Sequence, residues 1–550
     1  MAEIQLMQEH LNLVTWILAL SPILIVSLFM VGLNWGGAKA GAVAWLWSVI
    51  IVILVFGGDV ITAASGSAKG LWETVFILVI IWGAMSIYGL IHSMGGFPVI
   101  SEAFNRVTAG DRLLQILIIG MVFPAWLQGV LGFGTPVAVT APLLLGLGFS
   151  PVMAVVVPAL GHSWTITFGS LGSSFWVLQR FTGLDETLLA FWSAALFVPM
   201  TVMIFFFGTF YYSRTVYGSG WREVRRGWFA WLSLGLIQAG ALFFFSVFVS
   251  ASISGFLAGF VGLLWGAIIR KTPFYKIEAA PVQVAETRER SGTEMSFHLA
   301  FLPYYVIVIV VLLVYLSPLV AEWTGLPDLR AVLEGEQFQV GPAWPETRTA
   351  LMHVNPAADR YSPLKILTMP GTLIFFSLGV AMVMYRWLGL LQKGVVGTIW
   401  RRLSKTAVPA TLTLMTLSMM AGVMMEHGMT TLLAVGTAYA SGPLYPFLAN
   451  YVGQLGSFIT GSNTASNILF GVFQRDTALV LGISPYIVSA LQTVGGAIGN
   501  IHCPLNVVLA TSTVGITGQE GKVIAQTLVA GLLMGAVIGL LGMILVRIVV

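Results

Sequence analysis

Charged residues are scarce in this sequence, and their scarcity excludes a soluble globular protein. Only 9% of the 550 residues are Asp, Glu, Lys or Arg and 57% are hydrophobic, whereas about a quarter of an average soluble domain is charged. A transmembrane helix needs about 20 predominantly apolar residues. Uncharged runs of this order separate Glu9 from Lys39, Lys39 from Asp59, Glu73 from Glu102, Glu186 from Arg214, Met295 from Glu322, Lys365 from Arg386, Lys405 from Glu426, and Lys522 from Arg547. The sequence therefore predicts an all-α polytopic membrane protein.

Cysteine is nearly absent too. The single Cys503 cannot form an intramolecular disulfide, and no paired Cys/His spacing suggests a metal site. The sequence lacks the paired carboxylates or histidine cluster that a membrane enzyme would need, since its seven histidines are scattered. It also lacks the charge rings or repeated carbonyl filter of a channel and the soluble signalling domain of a receptor. These absences leave transport as the predicted function, with no cofactor other than a co-transported proton or sodium ion.

Basic residues outnumber acidic ones, and their positions predict the orientation. The net charge of +4 reports on cytoplasmic loops, where Lys and Arg gather, and does not indicate nucleic-acid binding. Two basic clusters are placed inside; they are Arg214, Arg222, Arg225 and Arg226, and Arg386, Lys393, Arg401, Arg402 and Lys405. The Pro-rich segment 322–365 leans acidic and is placed outside. Glu3 and Glu9 precede the first apolar run, where a cleavable signal peptide would have basic residues, so the first helix is expected to stay.

These orientations divide the chain into two halves of opposite sense. The first repeat, 1–269, contains spans near 12–33, 42–57 and 72–93, a hairpin near 113–146 and an extra helix pair at 227–269. A cytoplasmic linker, 270–298, leads to the second repeat, 299–550, with spans near 299–321, 367–388 and 406–425, an external loop at 322–365 and a hairpin near 443–474. Inverted topology of this kind is typical of secondary transporters.

A short sequence repeat supports the two halves. Leu147-Gly148-Phe149-Ser150-Pro151 recurs as Leu481-Gly482-Ile483-Ser484-Pro485, and a glycine follows ten residues after each proline, at Gly161 and Gly495. Upstream of each copy lies a Gly-rich polar break, Gly132-Phe133-Gly134-Thr135-Pro136 in one half and Gly461-Ser462-Asn463-Thr464 in the other. A continuous helix through the first of these is not expected.

The two breaks predict an anion site at membrane depth. A broken helix leaves backbone N–H and C=O groups unpaired, and these persist in a membrane only where protein buries them or where they line a cavity. Helix N-termini aimed at a carboxylate supply positive potential without a buried cation, and Ser, Thr and Asn side chains complete the hydrogen bonds. The alternative is that the glycines from Gly129 to Gly134 only let helices pack closely.

The same blocks resemble a known family. Residues 131–139, Leu-Gly-Phe-Gly-Thr-Pro-Val-Ala-Val, together with 144–149, are similar to a signature of the bacterial L-lactate permease family, and residues 461–467 and 493–496 are similar to its second signature. The resemblance implies secondary transport of lactate or glycolate across the bacterial inner membrane. The wider superfamily implies two inverted repeats with re-entrant helical hairpins, an elevator-type motion of a transport domain against a scaffold domain, and a homodimer. Ser462-Asn463-Thr464 also resembles the hairpin-tip motif by which carboxylate transporters of that superfamily hold substrate and, in some, sodium.

The sequence departs from that family at ionisable positions. Gln128, Asn463 and Asn500 stand where typical members have a glutamate, an aspartate and a lysine, and His162 replaces an asparagine. Proton coupling would then rest on His162, on His502 or on the substrate itself, or be absent. The alternative function is transport of another small organic anion, such as a sulfonate, with a different coupling ion or none.

The predicted substrate site gathers residues around both breaks, and its substrate is L-lactate, glycolate or a related 2-hydroxy monocarboxylate. It consists of Gln128, Gly132, Phe133, Gly134, Thr135, His162, Ser462, Asn463, Thr464, Ser466, Asn467, Gln492, Thr493 and Asn500, with His162 and His502 as the groups for proton coupling. For His162 the alternative is a core histidine that donates to a backbone carbonyl. Glu426 and His427 are expected at a helix end in the membrane interface, and Arg475 and Asp476 in a hairpin loop as a solvated pair.

Overall fold

Helices make up nearly all of the structure, a computed structural model. It describes residues 9–33, 35–96, 99, 103, 107–108, 110–130, 135–276, 295–315, 317–351, 353–391, 394–516 and 519–549. Within these ranges, 12 helical segments are long and apolar enough to cross a membrane. The prediction of an all-α polytopic membrane protein is confirmed.

The helices of the first half begin with those that precede the first break and end with a pair of apolar helices. They are α1 (Leu13–Ser27), α2 (Gly37–Leu54), α3 (Val60–Ser93), α4 (Arg112–Val130), α5 (Thr135–Gly146), α6 (Pro151–Gly161), α7 (Ser173–Thr182), α8 (Glu186–Tyr217), α9 (Trp221–Arg226), α10 (Trp228–Phe248) and α11 (Ala251–Ile269). Short 3-10 turns at Ser163–Thr165 and Ser170–Gly172 connect α6 to α7.

The second half ends with one long apolar helix instead of a helix pair. Its helices are α12 (Phe297–Tyr315), α13 (Ser317–Thr324), α14 (Leu329–Leu333), α15 (Pro370–Trp387), α16 (Val395–Glu426), α17 (Met429–Ser441), α18 (Tyr445–Thr460), α19 (Asn463–Val480), α20 (Pro485–Asn500), α21 (Pro504–Thr513) and α22 (Glu520–Ile548). Between α14 and α15 lie β1 (Gln339–Val340), β2 (Thr347–Arg348), β3 (Val354–Asn355) and β4 (Leu364–Lys365), paired antiparallel as β1 with β4 and β2 with β3.

The long helix α3 begins earlier than the apolar run from residue 72 predicts. Its N-terminus is fixed by a capping box, in which Asp59 accepts from Thr62 N at 2.7 Å and Thr62 Oγ1 accepts from Asp59 N at 2.9 Å. The helix then contains two charged residues, Lys69, which lies before the predicted span 72–93, and Glu73, which lies at its start. They are tolerated there because each is paired, Lys69 with Glu426 and Glu73 with Arg180.

Of two further charged positions, one differs from the prediction. Glu426 ends helix α16 as expected, and its side chain is buried and ion-paired. Arg475 and Asp476 lie inside α19 and not in a hairpin loop. They pair with each other at 2.6 Å, and Arg475 also donates to the carbonyl of Thr182 at 2.7 Å, so a neighbouring helix end replaces the solvent expected around this pair.

The two halves pack in matching ways. In the first half α1 packs on α2, and in the second half α12 packs on α15. In turn, α2 packs on α16 while α15 packs on α3, and the two long helices α3 and α16 pack along each other. The last contact is close because it is made at glycines: a Cβ on Gly70 would clash with the carbonyl of Ser418, and one on Gly422 with the carbonyl of Gly66.

The five-residue sequence repeat adopts the same local structure in both halves. Gly148 and Gly482 take left-handed φ angles of 82° and 66°, which glycine adopts without a steric penalty. Proline then stands at the start of the next helix, Pro151 in α6 and Pro485 in α20, where its missing N–H is harmless. Each copy thus ends one helix and starts the next.

Candidate functional site

A helix break is present at Gly461. Helix α18 ends at Thr460 and α19 begins at Asn463. Gly461 has a left-handed φ of 74°, and Ser462 caps α19 by accepting a hydrogen bond from the backbone N–H of Ala465 at 3.3 Å. The remaining N–H groups of the first turn have no partner within the helix, and the helix dipole makes the potential at this end positive.

A second helix N-terminus is formed by the unusual turn before α7. Ser170, Leu171 and Gly172 take φ angles of 47°, 55° and 78°, so three successive residues are left-handed. This conformation costs about 1–2 kcal/mol for each residue other than glycine, and it persists only where the surrounding structure imposes it. Helix α7 starts immediately afterwards at Ser173, without a side-chain cap.

Both helix N-termini border one small cavity. It is lined by Gln128, Ile166, Ser170, Ser173, Ser174, Gly461, Ser462, Asn463, Thr464, Asn500 and Asn506. No Asp, Glu, Lys, Arg or His is among these described lining residues. The polar surface of the cavity therefore consists of hydroxyl, amide and backbone groups.

Asn463 connects the second break to the first half of the chain. Its Nδ2 donates to Thr167 Oγ1 at 3.0 Å and to the carbonyl of Thr493 at 3.2 Å. The hydroxyls of Thr167 and Thr493 are 2.9 Å apart. Asn467, one turn further along α19, donates to Thr493 Oγ1 and to the carbonyl of Ser174, both at 2.9 Å. Residues from both halves thus form one hydrogen-bonded network.

Ser466 and Gln492 lie behind this network. The Gln492 amide donates to Ser466 Oγ at 3.0 Å, and its oxygen accepts from the Gln474 amide at 2.9 Å. Gln474 in turn accepts from the hydroxyl of Tyr445 at 2.6 Å. This chain of buried groups holds α18, α19 and α20 together, so Ser466 and Gln492 position the cavity without lining it.

Two asparagines close the cavity near the break. Asn500 donates to the carbonyl of Gly461 at 3.2 Å and accepts from Asn506 at 2.8 Å. Gly461 ends α18, so its carbonyl is one of the groups that a helix C-terminus leaves unpaired. The two side chains therefore satisfy the backbone of the break and present their remaining polar atoms at the cavity.

The two predicted histidines do not line the cavity. His162 is buried, with its Nδ1 3.0 Å from the carbonyl of Pro158, and it neighbours Asn500. His502 is also buried and packs against the ring of Phe458, 5.9 Å between centroids, and against Gly531 of α22. His162 thus touches the site through one neighbour, and His502 faces away towards α22.

The first break falls largely outside the described residues. Gly132, Phe133 and Gly134 belong to the part that is not described, and Thr135 begins α5. Sequence reasoning missed Ser170, Ser173 and Ser174, although residues 169–174 read Gly-Ser-Leu-Gly-Ser-Ser within an uncharged run. That composition is a usable signal for a further break. Asn506, which also lines the cavity, carried no comparable signal in the sequence.

Comparison with known proteins identifies the family. The family model described as L-lactate permease matches residues 15–549. The chain belongs to the L-lactate permease family. The resemblance drawn from the two sequence blocks is therefore confirmed, and membership makes the chain a multi-pass permease of the bacterial inner membrane and not an enzyme. Among the described residues of this permease, no group of three or more His, Cys, Asp or Glu is placed to hold a metal ion.

Individual relatives cover the permease almost end to end. Glycolate permease GlcA of Escherichia coli K12 is 28% identical, over 96% of this chain and 94% of its own length. The L-lactate permease of the same strain is 25% identical over 91% of each chain, and that of Bacillus subtilis is 25% identical over 90% of this chain and 89% of its own. A solved structure, the YdaH transporter of Alcanivorax borkumensis, is 14% identical with a TM-score of 0.43, over 88% of this chain and 87% of its own.

Proposed function

We propose that this permease is a secondary transporter that carries L-lactate, glycolate or a related 2-hydroxy monocarboxylate across the inner membrane. The relatives support the substrate class, because they are named for L-lactate and for glycolate. The observation that carries the proposal is the uncharged cavity bordered by two helix N-termini. Such a cavity suits a small anion that must bind and leave again.

In this proposal the substrate carboxylate binds between the first turns of α7 and α19. The backbone N–H groups there and the hydroxyls of Ser173 and Thr464 are the donors that it would meet. A neutral site attracts an anion through dipoles and hydrogen bonds, and it avoids the cost of holding a cation at membrane depth. Departure from this cavity then does not require the separation of two opposite charges.

The 2-hydroxyl group of the substrate would lie at the amide side of the cavity. Gln128, Asn500 and Asn506 each offer a donor and an acceptor, which a hydroxyl can satisfy in either direction. A site built to bond a hydroxyl discriminates against analogues that lack one, because its polar groups would be left unpaired. We therefore expect 2-hydroxy acids to be preferred over pyruvate.

We also propose two inverted repeats, 1–269 and 299–550, joined by the linker 270–298, of which 277–294 lies outside the described residues. The matching helix packing and the shared turn at Gly148 and Gly482 support this arrangement. The hairpins near 113–146 and 443–474 would belong, with α6, α7, α20 and α21, to a transport domain that moves elevator-like against a scaffold. The scaffold would contain α1, α2, α3, α12, α15 and α16 and form a homodimer.

The test is counterflow in proteoliposomes that contain the purified full-length permease. Vesicles are loaded with unlabelled L-lactate, glycolate, pyruvate or sulfolactate, and the entry of labelled L-lactate is followed. We expect loading with L-lactate or glycolate to accelerate entry most, and pyruvate less. Absence of counterflow with every monocarboxylate would overturn the proposal, and acceleration by sulfolactate alone would favour a sulfonate as substrate.

A further inference from the structure

A second cavity, lined in part by charged side chains, lies between α3, α7, α16 and the segment that follows β3. Its polar side chains are Lys69, Glu73, Arg180, Asn355, Tyr361 and Glu426. This outer cavity is separate from the uncharged cavity at the helix breaks, with which it shares no lining residue. It lies under the loop that the charge distribution places outside the membrane, so it is on the external side of the substrate cavity.

Two buried ion pairs face the outer cavity. Arg180 Nε lies 2.6 Å from Glu73 Oε2, and Lys69 Nζ lies 2.9 Å from Glu426 Oε2. The side chains are 10% or less exposed in all four cases. Buried pairs seldom add to stability, because the desolvation of both charges offsets their attraction. Their presence in a membrane protein instead points to a role in moving ions or substrate.

The two carboxylates are held differently. Both oxygens of Glu426 accept from Lys69, and Thr347 donates a further short hydrogen bond to Oε1. Glu73 receives a single guanidinium N–H, from Arg180, and otherwise neighbours the Ser362 hydroxyl. If another anion took Arg180, Glu73 would lose one hydrogen bond, whereas Glu426 would lose two if an anion took Lys69. Glu73 is therefore the carboxylate that gives up its cation more easily.

Arg180 connects the outer cavity to the substrate cavity. It lies on α7, whose first residues Ser173 and Ser174 line the substrate cavity. Seven residues separate Ser173 from Arg180, which is about 10 Å along a helix. A change in the partner of Arg180 therefore acts on the same short helix that borders the substrate.

We propose that the outer cavity takes up the substrate carboxylate and one proton together: the carboxylate replaces Glu73 as the partner of Arg180, and Glu73 takes the proton. The proposal rests on the proposed function, since it assumes a monocarboxylate substrate. Charge balances in this step, because one anion and one proton enter and the cavity gains no net charge. A buried carboxylate without its cation is stable only in its neutral form, so anion entry and protonation require each other.

The remaining charged and titratable groups at the outer cavity stay in place during this step. Lys69, one turn before Glu73 on α3, remains paired with Glu426 of α16, and Lys69 also lies over the ring of Tyr361 at 5.6 Å. Tyr361, from the external loop, is the remaining titratable group among the described residues that line this cavity. A single proton acceptor, Glu73, is thereby assigned.

The test compares two modes of transport by the full-length permease in proteoliposomes. Counterflow exchange needs no net proton movement, whereas accumulation driven by an inward proton gradient does. For Glu73→Gln we expect exchange of labelled L-lactate to persist and gradient-driven accumulation to fall by about tenfold or more, the range of coupling between two sites. Glu334→Gln is the control: Glu334 is an ion-paired carboxylate of the external loop that lines neither cavity, and the variant is expected to keep gradient-driven accumulation.

Three outcomes would overturn the proposal. The first is gradient-driven accumulation retained by Glu73→Gln. The second is an equal loss of accumulation in Glu334→Gln, and the third is full rescue by the double variant Glu73→Gln/Arg180→Gln. The double variant removes both charges of the pair. It restores transport if the pair is only structural, and it stays impaired if Arg180 receives the anion. This comparison remains informative even where Glu73→Gln alone fails to fold. If the wild-type permease shows no exchange at all, the proposed function has failed, a result distinguishable from loss of coupling alone.

Discussion

Thr167 and Thr493 lie 326 positions apart in the chain, and their hydroxyl oxygens meet at 2.9 Å. Thr167 precedes the left-handed turn of the first half, and Thr493 belongs to α20 of the second half. Asn463 donates to both hydroxyls. Residues of both halves therefore meet at the cavity in which we propose that the substrate binds.

Asn463→Ala is expected to abolish uptake while insertion and folding stay largely intact. The substitution removes the amide that bonds Thr167 and Thr493 and leaves their oxygens with fewer donors, at a cost of about 1–3 kcal/mol if they remain buried and unsatisfied. It also removes a polar group that lines the cavity. Uptake of labelled L-lactate and thermal unfolding in detergent are measured on the same preparation.

The control for this variant is Asn12→Ala. Asn12 caps α1 at the N-terminal end of the described chain and does not line the cavity, so its loss weakens a helix cap by about 1 kcal/mol and leaves uptake unchanged. Normal transport by Asn463→Ala would contradict the placement of the substrate at this break.

The helical architecture could be predicted from the sequence, because uncharged runs longer than a bilayer crossing are a one-dimensional property. The break at Gly461 could be predicted as well, since glycine next to Ser462 and Asn463 marks a helix end and the next helix cap. The position of Lys69 inside α3 could not. It depends on Glu426, which is 357 residues away in the chain and adjacent only in the folded protein.

The left-handed turn at Ser170 and Leu171 was equally beyond sequence reasoning. Only Gly172 in this turn favours a positive φ. Ser170 and Leu171 adopt a positive φ that residues with a side chain disfavour, and the surrounding structure holds them in it. Polar partners such as Thr167 and Ser174 became visible only through contacts across the two halves. The sequence thus indicated where helices break, but not which other segments meet the breaks.

Gly461→Ala is expected to destabilise the permease more than Gly482→Ala. Both glycines are left-handed, with φ of 74° and 66°, so alanine strains the backbone by about 1–2 kcal/mol at each. At Gly461 the added Cβ would also lie 2.9 Å from a Leu505 side-chain carbon, whereas nothing lies within 4 Å at Gly482. Because both variants carry the same backbone strain, the difference between their unfolding midpoints measures the additional cost of the clash with Leu505 at the break.

The same two variants are also expected to differ in uptake of labelled L-lactate. Gly461→Ala shifts the start of α19 and is expected to lower uptake, whereas Gly482→Ala lies at a turn outside the cavity and is expected to retain it. Equal unfolding midpoints together with equal uptake would argue against a specific role for the break.

His427, directly after the membrane span that ends at Glu426, is expected to make the folded permease sensitive to mild acid. Burial lowers the pKa of its imidazole, and the nearby Glu426 carboxylate opposes this shift only in part. Its Nδ1 is 2.8 Å from the carbonyl of Val423 and its Nε2 is 3.1 Å from Thr62 Oγ1. Below the ordinary histidine pKa of about 6.5, the unfolded chain therefore binds a proton that the folded chain excludes.

The free energy of unfolding must then fall as the pH drops below about 6.5. Lower pH favours the state that binds more protons, which here is the unfolded state. The measurement is the unfolding midpoint in detergent between about pH 8 and pH 5, for the wild type and for His427→Gln. The variant removes the titrating group, so its midpoint should decline less steeply over this interval, whereas His298→Gln, at an exposed histidine on α12, should decline as the wild type does. If His427→Gln and the wild type lose stability with the same slope, His427 is not the group whose burial makes the fold acid-sensitive.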